Sequence, residues 1–122
     1  MLHDKCIIHI VAALAIAALA GCQPDTPIES YPCPTNGTSL TYASFGQDFM
    51  ARHCQTCHGQ STKDRKGAPA SFDFATPEAI QQHKARIFAR AAADNVTMPP
   101  GPDDPPEAER MKLAEWLACG AP

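Results

Sequence analysis

Apolar residues recur with a helical period in three parts of the chain. Phe45, Phe49 and Met50 fall on one helical face, Ile80, Ile87 and Ala91 on a second, and Leu113, Trp116 and Leu117 on a third. Local punctuation agrees. Thr76-Pro77-Glu78 is a helix start, in which Thr caps, Pro suits the first helical position and Glu favours the positive end of the dipole. The last helix is predicted to begin near Pro105-Pro106-Glu107 and to stop at Gly120. Residues 59–75 and 94–104 lack a period and read as loops. No convincing strand is present, so the pattern predicts an all-α domain of three to four helices.

The amino terminus follows a different rule. Residues 7–20 (IIHIVAALAIAALA) are nearly all apolar, yet the run is shorter than the roughly 20 residues of a membrane-spanning helix. It has the form of an export signal. Leu19-Ala20-Gly21-Cys22 resembles the bacterial lipobox, which implies cleavage after residue 21 and lipid on Cys22. An ordinary cleaved signal leaving a free thiol, or an uncleaved anchor, are the plainer alternatives. Acyl chains stabilise membrane attachment by about 0.8 kcal/mol per buried methylene, so several would hold the protein firmly. The expected location is thus a bacterial membrane, with the domain facing the periplasm. Residues 22–40, with Pro24, Pro27, Pro32 and Pro34 among Ser and Thr, have linker composition and read as a tether. The folded domain is expected over residues 41–122.

Composition narrows the function further. The chain has 122 residues and a net charge of −3, with no block of Lys and Arg, so nothing points to nucleic acid.

The six cysteines sort by context. Cys6 lies in the export segment and Cys22 at the lipid site. Cys54 and Cys57 belong to Cys54-Gln55-Thr56-Cys57-His58, which has the C-x-x-C-H spacing of c-type haem attachment. Two sulfurs three positions apart on a helical turn can each form a thioether to one haem vinyl group. The next residue, His58, then sits beneath the iron as the proximal ligand. Zinc would need two further ligands, and only the distant Cys33 and Cys119 remain. A thioredoxin-like dithiol would need a βαβ setting that is absent here. In an oxidising compartment Cys33 and Cys119 are expected to form a disulfide, worth about 4 to 5 kcal/mol in the chain-entropy model. Two unpaired thiols are the plainer reading.

The candidate second axial ligand is Met98, in Asn95-Val96-Thr97-Met98-Pro99-Pro100-Gly101. The prolines keep this segment extended, and a thioether is a soft ligand that raises the potential of haem iron. A Met packed in a core is the plainer alternative. Met50 suits packing, Met111 lies off the Leu113, Trp116, Leu117 face, and His83 lies in a polar stretch where solvation is expected. His53 is too close to Cys54 to reach the far face of a porphyrin.

The ordered set of motifs resembles the class I (monohaem) cytochrome c family over roughly residues 44–120. A helix leads into the pentapeptide, a Gly-Ala-Pro turn follows at Gly67 to Pro69, a helix precedes Met98-Pro99-Pro100, and a helix with Trp116 closes the domain. The resemblance implies a small cytochrome c fold, three to four helices packed around one covalent haem c. It also implies a carbonyl of the Pro turn, at Pro69, accepting a hydrogen bond from His58, with Ala68 and Ala70 as alternatives. A Gly on the first helix, Gly46, is implied to meet an aromatic on the last, Trp116. Met50 stands where the family carries an aromatic, and the Cys33 and Cys119 pair is a second departure.

Iron ligated by His58 and Met98 has no open position, so the expected function is one-electron transfer without substrate chemistry, between redox protein partners that are themselves membrane-associated. If Cys33 is pinned, only residues 23–32 are free, a reach of at most roughly 35 Å. The alternative is a haem-based sensor or enzyme in which the sixth ligand is labile.

Overall fold

The computed structural model describes residues 26–102 and 104–122. The export segment, the lipobox, Cys6 and Cys22 lie outside the described residues.

Four helices form the framework, and no strand occurs among the described residues. A wide π-helical turn over Tyr42–Gly46 opens the first of them, capped by Thr41, whose side chain accepts from Ser44 N while Ser44 Oγ accepts from Thr41 N. It runs directly into α1 (Gln47–His53). At Cys54 the backbone leaves helical geometry (φ −121°, ψ −42°), and the one-turn helix α2 (Gln55–His58) follows. Helix α3 spans Pro77–Ala91, with Thr76 capping through Ala79 N at 3.2 Å. Helix α4 spans Glu107–Ala118 and ends where Gly120 takes φ +96°, a conformation that favours glycine.

The core is formed by the faces the periodicity selects. Phe49, Met50, Ile80, Phe88, Leu113, Trp116 and Leu117 are fully buried, and Ile87 and Ala91 nearly so. Helices α3 and α4 pack on each other. The opening turn crosses α4 at Gly46, where any Cβ would overlap the Trp116 ring. Phe45 meets Trp116 edge to face at 5.9 Å and Phe49 at 5.4 Å. Phe45 thus supplies the aromatic contact, and Met50 fills space beneath it. This is the all-α architecture of a small cytochrome c.

The segment read as a free tether is folded over residues 26–40. Ile28 and Tyr31 pack on the core, Tyr31 against Phe88 at 5.8 Å. A short 3-10 turn, Ile28–Ser30, sits against α3 and α4. Thr38 donates to Glu115, and Thr26 N donates to Asn95 Oδ1 at 3.2 Å. Cys33 is disulfide-bonded to Cys119, with 4.9 Å between the Cα atoms. The composition argument failed here because two apolar anchors and one covalent bond outweigh the low overall apolar content of a Pro-rich strand of chain.

Candidate functional site

The break at Cys54 turns the pentapeptide toward the interior. His58 N and Cys57 N both donate to Cys54 O, at 2.9 and 3.2 Å, and Phe74 N donates to His58 O at 2.8 Å. These bonds fix α2 against the loop that follows. A cavity of about 390 Å³ lies beside it, lined by Cys54, Cys57 and His58 on one side and by Met98, Pro99 and Pro100 on another. Phe49, Phe72, Phe74 and Ile87 complete an apolar wall. The two sulfurs, the imidazole and the Met thioether named from sequence thus face one space, although they are separated by up to 44 positions in the chain.

His58 Nδ1 lies 2.7 Å from Phe72 O. A carbonyl can only accept, so this contact requires the Nδ1–H tautomer and leaves the Nε2 lone pair for coordination. The expected acceptor, Pro69, is displaced from that role by three residues. Its carbonyl takes Phe72 N at 3.0 Å and Arg65 Nη2 at 3.1 Å instead, while Pro69 itself lines the cavity. The physical reason is local: the turn that Pro69 begins folds its own carbonyl back on Phe72 N, which leaves the Phe72 carbonyl facing the imidazole. Phe74 stacks on the His58 ring, 4.6 Å between centroids and 21° between planes.

On the opposite side Met98 is 42% exposed, and its N–H donates to Arg90 O at 2.8 Å. Thr97 Oγ1 donates to the same carbonyl at 3.3 Å. Asn95 is buried and accepts from Thr26 N, while its amide donates to Phe88 O at 2.9 Å and Thr26 O at 3.2 Å. The residue chosen for its sulfur is therefore presented on a loop held through Asn95, Thr97 and its own N–H.

The other candidates fall as their surroundings dictate. Met50 is fully buried, and Met111 is exposed. His83 is not simply solvated: it packs on Phe72 at 5.0 Å and Phe74 at 5.9 Å, behind the His58 wall. His53 lines the cavity and shares Glu109 with Arg52, each at 3.1 Å.

Electrostatically the cavity is one-sided. Arg65, Lys66, Arg86 and Arg90 line it with no carboxylate among them, although the chain carries net −3. Burial pushes the Cys54 thiol up to about 12. No cluster of three or more His, Cys, Asp or Glu with metal-site geometry occurs among the described residues. Phe72, Phe74, Arg65 and Asn95 were missed from sequence. Only Arg65 and Asn95 left a trace there, as polar residues beside the Gly67 turn and the Met98 loop.

An apolar cleft with a tautomer-fixed imidazole next to two cysteines, inside a small all-α shell, defines a c-type cytochrome domain. The family described as cytochrome c oxidase, cbb3-type, subunit III matches over residues 43–117. The match covers more than half of the chain, and the chain belongs to this family. No curated protein and no solved structure matches it. Membership makes it a c-type cytochrome domain, working in haem-based electron transfer with redox partner proteins.

Proposed function

We propose that this chain is a monohaem one-electron carrier of the class I type, with haem c attached through Cys54 and Cys57 and held axially by His58 and Met98. The observation that carries the reading is the convergence of both sulfurs, the imidazole and the Met98 side chain on one cavity. The residues suit the group. A porphyrin is flat and apolar with two carboxylate arms, and the cavity offers Phe49, Phe72, Phe74 and Ile87 together with Arg86 and Arg90. When bound, haem supplies a reversible one-electron Fe(III)/Fe(II) couple. The chain's own work is to hold His58 as the Nδ1–H tautomer, to keep water from the apolar wall and to offer the Met98 sulfur. With His58 and Met98 both engaged, the group would offer no position to a substrate, and the chain would carry charge without catalysing a reaction.

The same reading places the protein outside the cytoplasm, tethered by lipid on Cys22 to a bacterial membrane. The Thr26 contact with Asn95 brings the chain onto the domain four residues after Cys22, a separation that spans at most about 14 Å. The domain would ride on the bilayer surface, where its redox partners are membrane-associated.

The second reading is a sensor or enzyme with a labile sixth ligand. A pyridine haemochrome spectrum with intact mass of the exported protein tests haem covalency and acylation together. Slow carbon monoxide binding supports the carrier, and fast binding to high-spin iron supports the sensor. A colourless mature protein overturns both.

A further inference from the structure

Arg65 makes an unusual set of contacts in the loop after His58. Its Nη1 donates to Gly59 O at 2.9 Å, its Nε to Ala68 O at 3.2 Å, and its Nη2 to Pro69 O at 3.1 Å and Phe72 O at 2.9 Å. The guanidinium has five N–H donors in a rigid fork, so four backbone carbonyls occupy most of it. It makes no ion pair among the described residues, and it lines the cavity. One of its acceptors, Phe72 O, is the oxygen that also accepts from His58 Nδ1 at 2.7 Å. A free cation and the proximal imidazole therefore compete for the same carbonyl.

We propose that Arg65 is a positioning residue for His58 and raises the electron affinity of the haem iron through the carbonyl the two share. This rests on the cytochrome reading above. The outer hydrogen bond of a ligating imidazole governs its basicity: the more strongly the acceptor takes the Nδ1 proton, the more imidazolate-like the ring and the better it stabilises Fe(III). A carbonyl already drawn on by a guanidinium is a weaker acceptor for that proton. The ring stays closer to neutral imidazole, which favours Fe(II). The uncompensated positive charge beside the cavity acts in the same direction, because the reduced iron carries one positive charge less. Arg65 also bridges Gly59 to Phe72 and so fixes the distance across which the imidazole must reach. Lysine would retain the charge but not the planar fork.

The test uses the full mature protein with haem attached, as wild type, Arg65→Lys and Arg65→Gln. Covalent haem is read by the haemochrome spectrum, the midpoint potential by redox titration, and exchange of the His58 Nδ1 proton by NMR of the ferrous protein. Expected are unchanged haem attachment, a lower potential in R65Q, a smaller fall in R65K, and slower exchange of the His58 Nδ1 proton in both, because a Phe72 carbonyl released from the guanidinium accepts that proton more strongly. A purely structural role would loosen the loop without ordering the two potentials by charge. Should R65Q fail to assemble, R65K decides alone, since its potential must still fall and its ring proton must exchange more slowly, whereas a loop that is merely loosened would speed that exchange. Covalent haem with potential and exchange unmoved in the variants overturns the Arg65 proposal and leaves the cytochrome reading intact. A wild type without covalent haem overturns the reading itself.

Discussion

On the His58 side of the cavity the loop is held by side chains that reach into its backbone. Arg65 spans it from Gly59 to Phe72, Thr62 Oγ1 donates to Gln55 O at 2.8 Å, and Gln55 Nε2 donates to Phe74 O at 3.1 Å. The Met98 side is held from outside. Its loop begins at Ala93, whose positive φ of 53° is supported by Arg110, which receives the Ala93 N–H on its carbonyl at 3.2 Å and donates Nε to Ala93 O at 3.0 Å. Beyond it, Asn95 ties the loop to the amino-terminal segment and Arg90 O receives Met98 N. The difference teaches which half is preformed. His58 has its tautomer and orientation fixed by a bond to its own ring, whereas Met98 is held through its main-chain N–H.

That contrast predicts the largest effect at Met98. Met98→Leu should abolish the weak far-red absorption of a sulfur–ferric bond and open the iron to carbon monoxide, while covalent haem remains. The haem-free variant should keep its stability to within about 0.5 kcal/mol, because the side chain is exposed there. An unchanged absorption spectrum would remove Met98 from the ligand set.

Next comes the disulfide. Cys33→Ser with Cys119→Ser opens a loop of 86 residues, which the chain-entropy model values at about 4 to 5 kcal/mol. In a domain this small that is a fall in melting temperature of about 15 °C or more. Because the segment pinned by Cys33 also carries Thr26 to Asn95, amide exchange should rise more over residues 93–98 than over residues 59–74. Equal increases on both sides would erase the distinction between them.

The two sides also differ in how much of them was legible beforehand. The pentapeptide and Met98 could be singled out beforehand because the proposed haem would use those residue types, and one cavity brings them together. The helices are readable because Ile80, Ile87 and Ala91 or Leu113 and Trp116 bury one face. What Arg65 does is a matter of loop geometry, since any Arg near a turn has the same appearance until four carbonyls converge on it. The Pro69 expectation failed for the same reason: a turn's sequence marks where the chain bends but not which carbonyl ends up facing the imidazole. The segment over residues 26–40 was misread because composition reports average polarity, and Ile28, Tyr31 and Cys33 act singly.

Asn95 gives a smaller and more selective perturbation. Asn95→Ala removes three hydrogen bonds from a buried amide and leaves Phe88 O and both Thr26 backbone groups without this partner. The expected cost is about 1 to 3 kcal/mol, seen in chemical denaturation. Met98 ligation should weaken, with faster carbon monoxide binding, while the His58 Nδ1 proton exchanges as before. Coupled changes on both sides would mean that the loops are one unit.

The smallest effect is expected where neither loop is involved. Arg52 and His53 on α1 meet Glu109 on α4. Burial alone would push the Glu109 carboxyl up, but the hydrogen bonds from Arg52 and His53 outweigh it and hold the group below its ordinary value. A carboxylate with a depressed folded value contributes stability that is complete above its unfolded pKa of about 4.3 and is lost as pH falls through the folded value. Glu109→Gln should therefore melt below wild type at pH 7, by about 2 °C or less given solvent screening, and the two curves should converge in acid. High salt should narrow the gap at pH 7. Glu109 touches neither loop, although its partner His53 lines the cavity, so carbon monoxide kinetics should stay at wild-type values and any change in potential should be smaller than that of R65Q. A melting difference that persists undiminished below pH 3 would assign Glu109 a packing role instead of an electrostatic one.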